Sequence, residues 1–275
     1  MTFQLLEVEH LKIWDSQTGG VLVPDSSFHL VQGQCLAIVG ESGSGKSLTC
    51  RAIMRLNQAR LYQSGNIILN GVNLMELSNK DMRSYRGKRL CMIMQNGMRA
   101  FDPSQPIGTY LLKTTAVHYS WSRSEATAKL AAALASVGLK EPAAVMRSYP
   151  YQLSGGMLQR VMIALAIVLE PDVIIADEPT TALDAVTQYE VVEQFVQLRN
   201  RLGSMVIFVS HDLSIVKRIA DEVLVMKDGE IVERGTTKDI FAHAKHPYTQ
   251  YLVSSKLALR QHFTRLIGGV DVAEG

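Results

Sequence analysis

The segment Gly40-Glu41-Ser42-Gly43-Ser44-Gly45-Lys46-Ser47 constrains this chain more than any other. It satisfies the phosphate-loop pattern G-x-x-x-x-G-K-[ST] at every required position. An apolar run, Cys35 to Val39, precedes it, and a helix-like stretch from Leu48 to Leu56 follows. A strand that delivers a glycine loop into a helix aims successive backbone N–H groups at bound phosphates, at the positive end of the helix dipole. Lys46 is then placed to reach the β- and γ-phosphates, and the Ser47 hydroxyl to ligate Mg²⁺. A merely flexible Gly/Ser loop has no need of Lys-Ser at a helix start. The segment reads as a nucleotide site.

A second glycine-rich sequence, Leu153-Ser154-Gly155-Gly156-Met157-Leu158-Gln159, opens another helix-like stretch, Met157 to Leu169. Alone, Ser-Gly-Gly is an ordinary helix N-cap, although its hydroxyl and N–H groups suit a γ-phosphate. Beside a phosphate loop, Leu-Ser-Gly-Gly with Gln159 three residues beyond the second glycine resembles the signature of ATP-binding cassette (ABC) ATPases. The resemblance implies that Ser154, Gly155, Gly156 and Gln159 close over ATP held by a second ATPase subunit. Two chains would then sandwich two nucleotides.

Composition fits one globular unit. The chain has 275 residues, 47% of them hydrophobic and 20% charged, enough for a large core. A net charge of +2 without long runs of either sign gives no reason to expect a nucleic-acid partner. Cys35, Cys50 and Cys91 are scattered, with no C-x-x-C pair, and read as reduced thiols in a cytoplasm. The longest uninterrupted apolar run, Val161 to Leu169, is nine residues, against roughly twenty for a membrane span. The N-terminus carries Glu7 and Glu9 and does not read as a secretory signal.

Along the chain, residues 1–95 are strand-rich, with Leu5–Glu9, Phe28–Val31 and Cys35–Val39 as strands. Asn70-Gly71, between Asn66–Leu69 and Val72–Leu74, signals a two-residue hairpin turn. Residues 96–160 turn helical, most clearly over Ala126–Ala135. Residues 161–235 alternate again. Val173–Ala176 and Met205–Val209 read as buried strands, and Tyr189, Val192 and Val196 as one helix face. Residues 236–275 form a C-terminal extension.

The remaining motifs follow in the order of the ABC ATPases. Val173-Ile174-Ile175-Ala176-Asp177-Glu178 resembles the Walker B strand, an apolar run ending in two carboxylates at the sheet edge where ligands of α/β folds sit. Asp177 falls eighteen residues after Gln159. By resemblance, Asp177 orients Mg²⁺ and Glu178 is the general base that polarises the attacking water. Gln95 matches the Q-loop glutamine, which contacts Mg²⁺ and the attacking water. His211 matches the switch histidine at the γ-phosphate, and Asp184 the D-loop aspartate at the dimer seam. Trp14 falls where the family places an aromatic ring that stacks on adenine; a half-buried core position is the structural alternative.

Narrower features resemble the peptide/nickel uptake branch: Met92–Asn96, Ala100–Pro103, Leu153–Arg160 and His246-Pro247-Tyr248-Thr249. Within it, Tyr85–Lys88, Arg99–Ser104 and Ser148–Tyr151 are similar to subunits that import nickel, cobalt or metal–opine metallophores. Many peptide members carry a C-terminal cysteine cluster, and this chain has no cysteine after Cys91. His243, His246 and His262 invite a metal site, but the spacing lacks any Cys or carboxylate ligand, and an ATPase need not touch the cargo.

The resemblance implies an α/β P-loop ATPase with a RecA-like core sheet, an antiparallel β subdomain and an inserted helical subdomain. Its substrate would be ATP with Mg²⁺. Its partners would be a second ABC ATPase subunit, in a heterodimer, and two transmembrane permeases, with an extracytoplasmic solute-binding protein acting indirectly. The chain would sit on the cytoplasmic face of the plasma membrane. A peptide importer is the near alternative. A cassette acting on DNA or ribosomes is remote. Only 107 residues separate Lys46 from Ser154, with no heptads for a long coiled coil, and there is one cassette, not two. A P-loop kinase has no use for the signature.

Overall fold

The computed structural model describes residues 5–95, 97–181 and 183–255. Its strands are β1 (Leu5–Asp15), β2 (Val21–Val31), β3 (Cys35–Val39), β4 (Leu61–Leu69), β5 (Val72–Asn73), β6 (Leu90–Ile93), β7 (Val173–Asp177), β8 (Met205–Val209), β9 (Glu222–Lys227) and β10 (Glu230–Thr236). The helices are α1 (Lys46–Ile53), α2 (Asn79–Tyr85), α3 (Gly97–Ala100), α4 (Ile107–His118), α5 (Arg123–Ser136) and α6 (Pro142–Arg147). They continue with α7 (Gly155–Leu169), α8 (Ala185–Leu202), α9 (Leu213–Ile219) and α10 (Thr237–His243), and α11 covers residues 247–255.

Two sheets result. One is antiparallel, in the order β2-β1-β4-β5; the other runs β10-β9-β3-β8-β7-β6 and is parallel except for the β9–β10 hairpin. Strands β3, β7 and β8 are buried at every residue, which explains their unbroken apolar sequences. Alternate side chains serve different cores. Leu36, Ile38, Ile175 and Ile207 pack with α1 and the antiparallel sheet, while Ile174, Ala176, Val206 and Phe208 pack with α7 and α8. A third core joins Ala37, Val39, Val223 and Val225 to α9, α10 and Tyr248 of α11.

Local chemistry accounts for the turns and helix starts. Asn70 and Gly71 both take positive φ, 51° and 82°, as a twist-matched hairpin turn requires. β5 stops at Asn73, one residue short of the expected strand. α1 begins at Lys46 and ends at Ile53, inside the expected Leu48–Leu56 at its far end, because Arg55 turns left-handed at φ 50°. α5 fulfils the alanine-rich prediction, with Ser122 capping the Glu125 N–H. The α8 face needs correction. Val191, Val192, Phe195 and Leu198 are its buried residues, whereas Tyr189 is 53% exposed and meets Arg218 across to α9. Among the described residues, no helix is long and apolar enough to cross a membrane.

Candidate nucleotide site

The parallel strands deliver their chemistry to one edge. The glycine loop follows β3, Gln95 follows β6, Asp177 ends β7 with Glu178 next after it, and His211 follows β8. A cleft of ≈ 400 Å³ opens there, lined by the loop and the start of α1 together with Gln95, Glu178 and His211. Gly40 is required by space: a Cβ would lie 2.1 Å from the Met226 carbonyl oxygen on β9, and its φ is 151°. The Gly229 N–H, in the β9–β10 turn, donates to the Ser44 carbonyl at 3.2 Å.

Lys46 is anchored by its own loop. Its ammonium donates to the Gly40 carbonyl at 2.9 Å, the Glu41 carbonyl at 2.7 Å and the Ser44 hydroxyl at 3.3 Å. Burial lowers its pKa, opposed by the charges of Glu178 and Asp177. The Ser47 hydroxyl donates to Asp177 Oδ1 at 2.7 Å. Asp177 is 5% exposed, and burial raises its pKa despite the Ser47 bond and the nearby Arg51 guanidinium, 3.9 Å away.

Glu178 Oε2 is the meeting point of the site. It accepts from Gln95 Nε2 at 3.2 Å and from the Thr181 hydroxyl at 2.9 Å, and it lies 3.3 Å from His211 Nδ1. Glu178 also has φ 48°, a left-handed conformation uncommon outside glycine, held by its backbone N–H donating to Val209 at 3.1 Å. Sequence reasoning missed Thr181 and Arg51. Thr181 carries no motif of its own, and Arg51 would have been found only by following the face of α1 one turn beyond Ser47.

Other expected site residues lie outside this cleft. Trp14 is half-buried on β1, opposite Tyr62 of β4 with ring centroids 6.1 Å apart. Its sheet borders the loop, since a Cβ on Gly45 would lie 3.3 Å from Val23. Ser154 caps α7 by accepting the Met157 N–H at 3.2 Å, and with Gly156 it lines a separate hollow of ≈ 460 Å³. Gly155 opens α7 itself. Gly156 is pressed against α8: a Cβ there would lie 2.5 Å from Thr187 Cγ2. Asp184 caps α8, accepting from the Thr187 N–H at 3.0 Å and hydroxyl at 2.7 Å, and these bonds hold its pKa down.

Gln159 departs from expectation. It is 2% exposed and donates to the Pro179 carbonyl at 2.6 Å and the Met94 carbonyl at 3.3 Å. Its amide is spent on joining the chain after β7 to the chain after β6, and does not face a nucleotide. His243 is exposed, the His246 Nδ1 accepts the Tyr248 N–H at 3.2 Å, and His262 lies outside the described residues. Among the described residues, no three or more His, Cys, Asp or Glu side chains gather as metal ligands.

Comparison with known proteins agrees with this geometry. Residues 23–181 match the family model described as ABC transporter, and residues 232–270 match oligopeptide/dipeptide transporter, C-terminal region. The chain is 47% identical to the metal-staphylopine import system ATP-binding protein CntD of Staphylococcus aureus, over 96% of this chain and 98% of that one. It is 40% identical to the dipeptide transport ATP-binding protein DppD of Bacillus subtilis, over 92% and 76% respectively. Among solved structures, cbiO1 of Clostridium perfringens, part of an ABC transporter complex, superposes with a TM-score of 0.73 at 26% identity, covering 95% of this chain and 98% of that one. A dimeric ATP-binding cassette bound to ADP and phosphate gives 0.75 at 23% identity, covering 84% and 98%, a likeness of fold. The loop, the paired carboxylates and these matches together make the chain a member of the ABC transporter ATP-binding subunits of the peptide/nickel uptake family, an ATPase of an importer.

Proposed function

We propose that this ATPase drives uptake of a metal–metallophore complex, or of nickel or cobalt, through membrane permeases. The observation that carries the cargo is the 47% identity to a metal-staphylopine import ATPase across nearly the whole of both chains. The dipeptide ATPase DppD is less similar, at 40% over 76% of its length. Peptide uptake is the second reading, favoured by the C-terminal match over residues 232–270.

In this proposal the loop Gly40–Ser47 cradles the ATP phosphates, with Lys46 at the β- and γ-phosphates and Trp14 against adenine. The donor set suits a hard divalent cation: Ser47 and Asp177 offer oxygen, and a divalent charge would favour the Asp177 carboxylate and so oppose the desolvation that raises its pKa. Mg²⁺ would be held by Ser47, Gln95 and Asp177, neutralising charge on the phosphate oxygens. Glu178 takes the proton of the attacking water, with Gln95, Thr181 and His211 fixing its carboxylate. Ser154, Gly155, Gly156 and Asp184 serve the nucleotide of a second, non-identical ATPase subunit, a role supported by the separation of the signature from this chain's own cleft. Two permeases hold the pair at the cytoplasmic membrane face, and a solute-binding protein delivers cargo outside. The helical segment 96–160, from Gln95 onward, is the surface for the permeases.

Uptake in a gene-deletion strain tests the cargo. Nickel, cobalt or metallophore-bound zinc uptake in metal-poor medium should fall, and Lys46→Ala should not restore it. Peptide-dependent growth should persist. Unchanged metal uptake with loss of peptide uptake would leave the importer and remove the metal.

A further inference from the structure

The His-Pro-Tyr-Thr segment has no part in the chemistry so far, yet it reaches the phosphate loop. Tyr248 is 8% exposed, packed among Val39, Val216 and Ile240, and its hydroxyl oxygen accepts the Glu41 N–H at 2.9 Å. The ring is held from the other side by Lys227, whose ammonium lies 5.2 Å from the ring centroid. The segment itself is tied down. Glu233 of β10 accepts the N–H groups of Lys245 at 2.8 Å and His246 at 3.0 Å, and Pro247 opens α11.

The bonded N–H belongs to the Gly40–Glu41 peptide, whose carbonyl end accepts from Lys46 at 2.9 Å. One peptide plane is thus pinned at both ends, by a phenol from the C-terminal extension and by the phosphate-binding lysine. Gly40 has no side chain to resist rotation of that plane, so the phenol supplies the restraint. We propose that Tyr248 is a positioning residue of the nucleotide site, fixing the Gly40 carbonyl and through it the station of the Lys46 ammonium. The proposal rests on residues 40–47 being the phosphate loop. It assigns the extension a task in ATP binding, exercised through the phosphate loop.

Tyr248→Phe keeps the ring and its packing and removes only the hydroxyl, and with it the acceptor for the Glu41 N–H. The isolated full chain, titrated with MgATP by calorimetry, should then bind about three- to tenfold more weakly, since a part-buried N–H exchanges its fixed partner for water and the loop must order on binding. Reconstituted with its natural partners, the variant should show that rise in KM with kcat changed less than about twofold, because bound phosphates re-impose the loop geometry. Its melting temperature without nucleotide should match the parent closely. Tyr251→Phe, on an exposed neighbour in the same helix, should leave affinity unchanged. Glu41→Pro deletes the N–H, so Tyr248→Phe should cost nothing more in that background. Unchanged affinity in Tyr248→Phe, or an effect that persists undiminished beside Glu41→Pro, overturns the proposal. A fall in kcat with unaltered KM does so too. Lys46→Ala is the separate control: if it keeps full ATP affinity, the phosphate-loop assignment has failed, whatever Tyr248 does.

Discussion

Gly156 of the signature helix and Thr187 of α8 are in such close contact that a single methyl group on the glycine would sit 2.5 Å from the threonine Cγ2. The same threonine gives its N–H and hydroxyl to Asp184. The signature and the segment carrying Asp184 are therefore one packed unit.

Gly156→Ala should disturb that unit by overpacking, destabilising the chain by about 1–3 kcal/mol in denaturant melts. Thr187→Ser removes the opposing methyl and keeps the hydroxyl for Asp184. The double variant should recover most of the loss. A simple sum of the two single effects would mean that the contact does not limit this position.

Glu178→Gln preserves size and hydrogen bonding but cannot take a proton. ATP hydrolysis by the assembled transporter should fall about a hundredfold or more while ATP still binds. ATP-bound dimers with the natural partner should accumulate on size-exclusion chromatography. Near-normal turnover by the pure variant would remove Glu178 from the base role.

Ser154→Arg and Lys46→Ala separate the two faces of the chain. Ser154 lies outside this chain's own cleft, so only Lys46→Ala should weaken ATP binding by the isolated monomer. Both should abolish turnover in the assembly. Equal loss of monomer affinity would argue against a signature that serves the partner.

Asp177 links stability to pH with an unusual sign. Burial raises its folded pKa, so the folded state holds its proton more tightly than the unfolded chain does. This group's destabilising effect is absent below its unfolded pKa and grows as pH rises through the folded value. Asp177→Asn should therefore melt higher than the parent at neutral pH, with the gap closing in acid. The same variant should lose Mg²⁺-dependent hydrolysis. A variant less stable than the parent at pH 7 would show that the Ser47 and Arg51 contacts outweigh burial.

Much of this site is legible in the order of the residues. Cys35–Val39 and Val173–Ala176 read as strands because short apolar runs, bounded by a glycine or by carboxylates, suit a strand covered on both faces, and each ends where the polar residues that follow face the cleft. What is hidden depends on distance along the chain. Tyr248 and Glu41 are 207 positions apart, and no local pattern announces their bond. Gln159 carries the signature's spacing but turns inward, since a helix face is chosen by its packing and two carbonyls wait on that side. Tyr189 misleads in the opposite direction. Its ring looks like core, yet Arg218 gives it a partner at the surface. α2 is too short and polar for its periodicity to register, although Ser78 caps it at the Asp81 N–H.

The three cysteines, one at the start of β3, one in α1 and one in β6, are all buried, and burial pushes Cys35 and Cys91 up to about 12 and Cys50 well above its usual value. At neutral pH almost none of these thiols is thiolate, the form that alkylating reagents attack. The folded protein should thus be silent to maleimide, while the unfolded chain should label at three positions. A single cysteine introduced at Ser154 or in α11 would report its own movement against a dark background, with no need to strip the native thiols first.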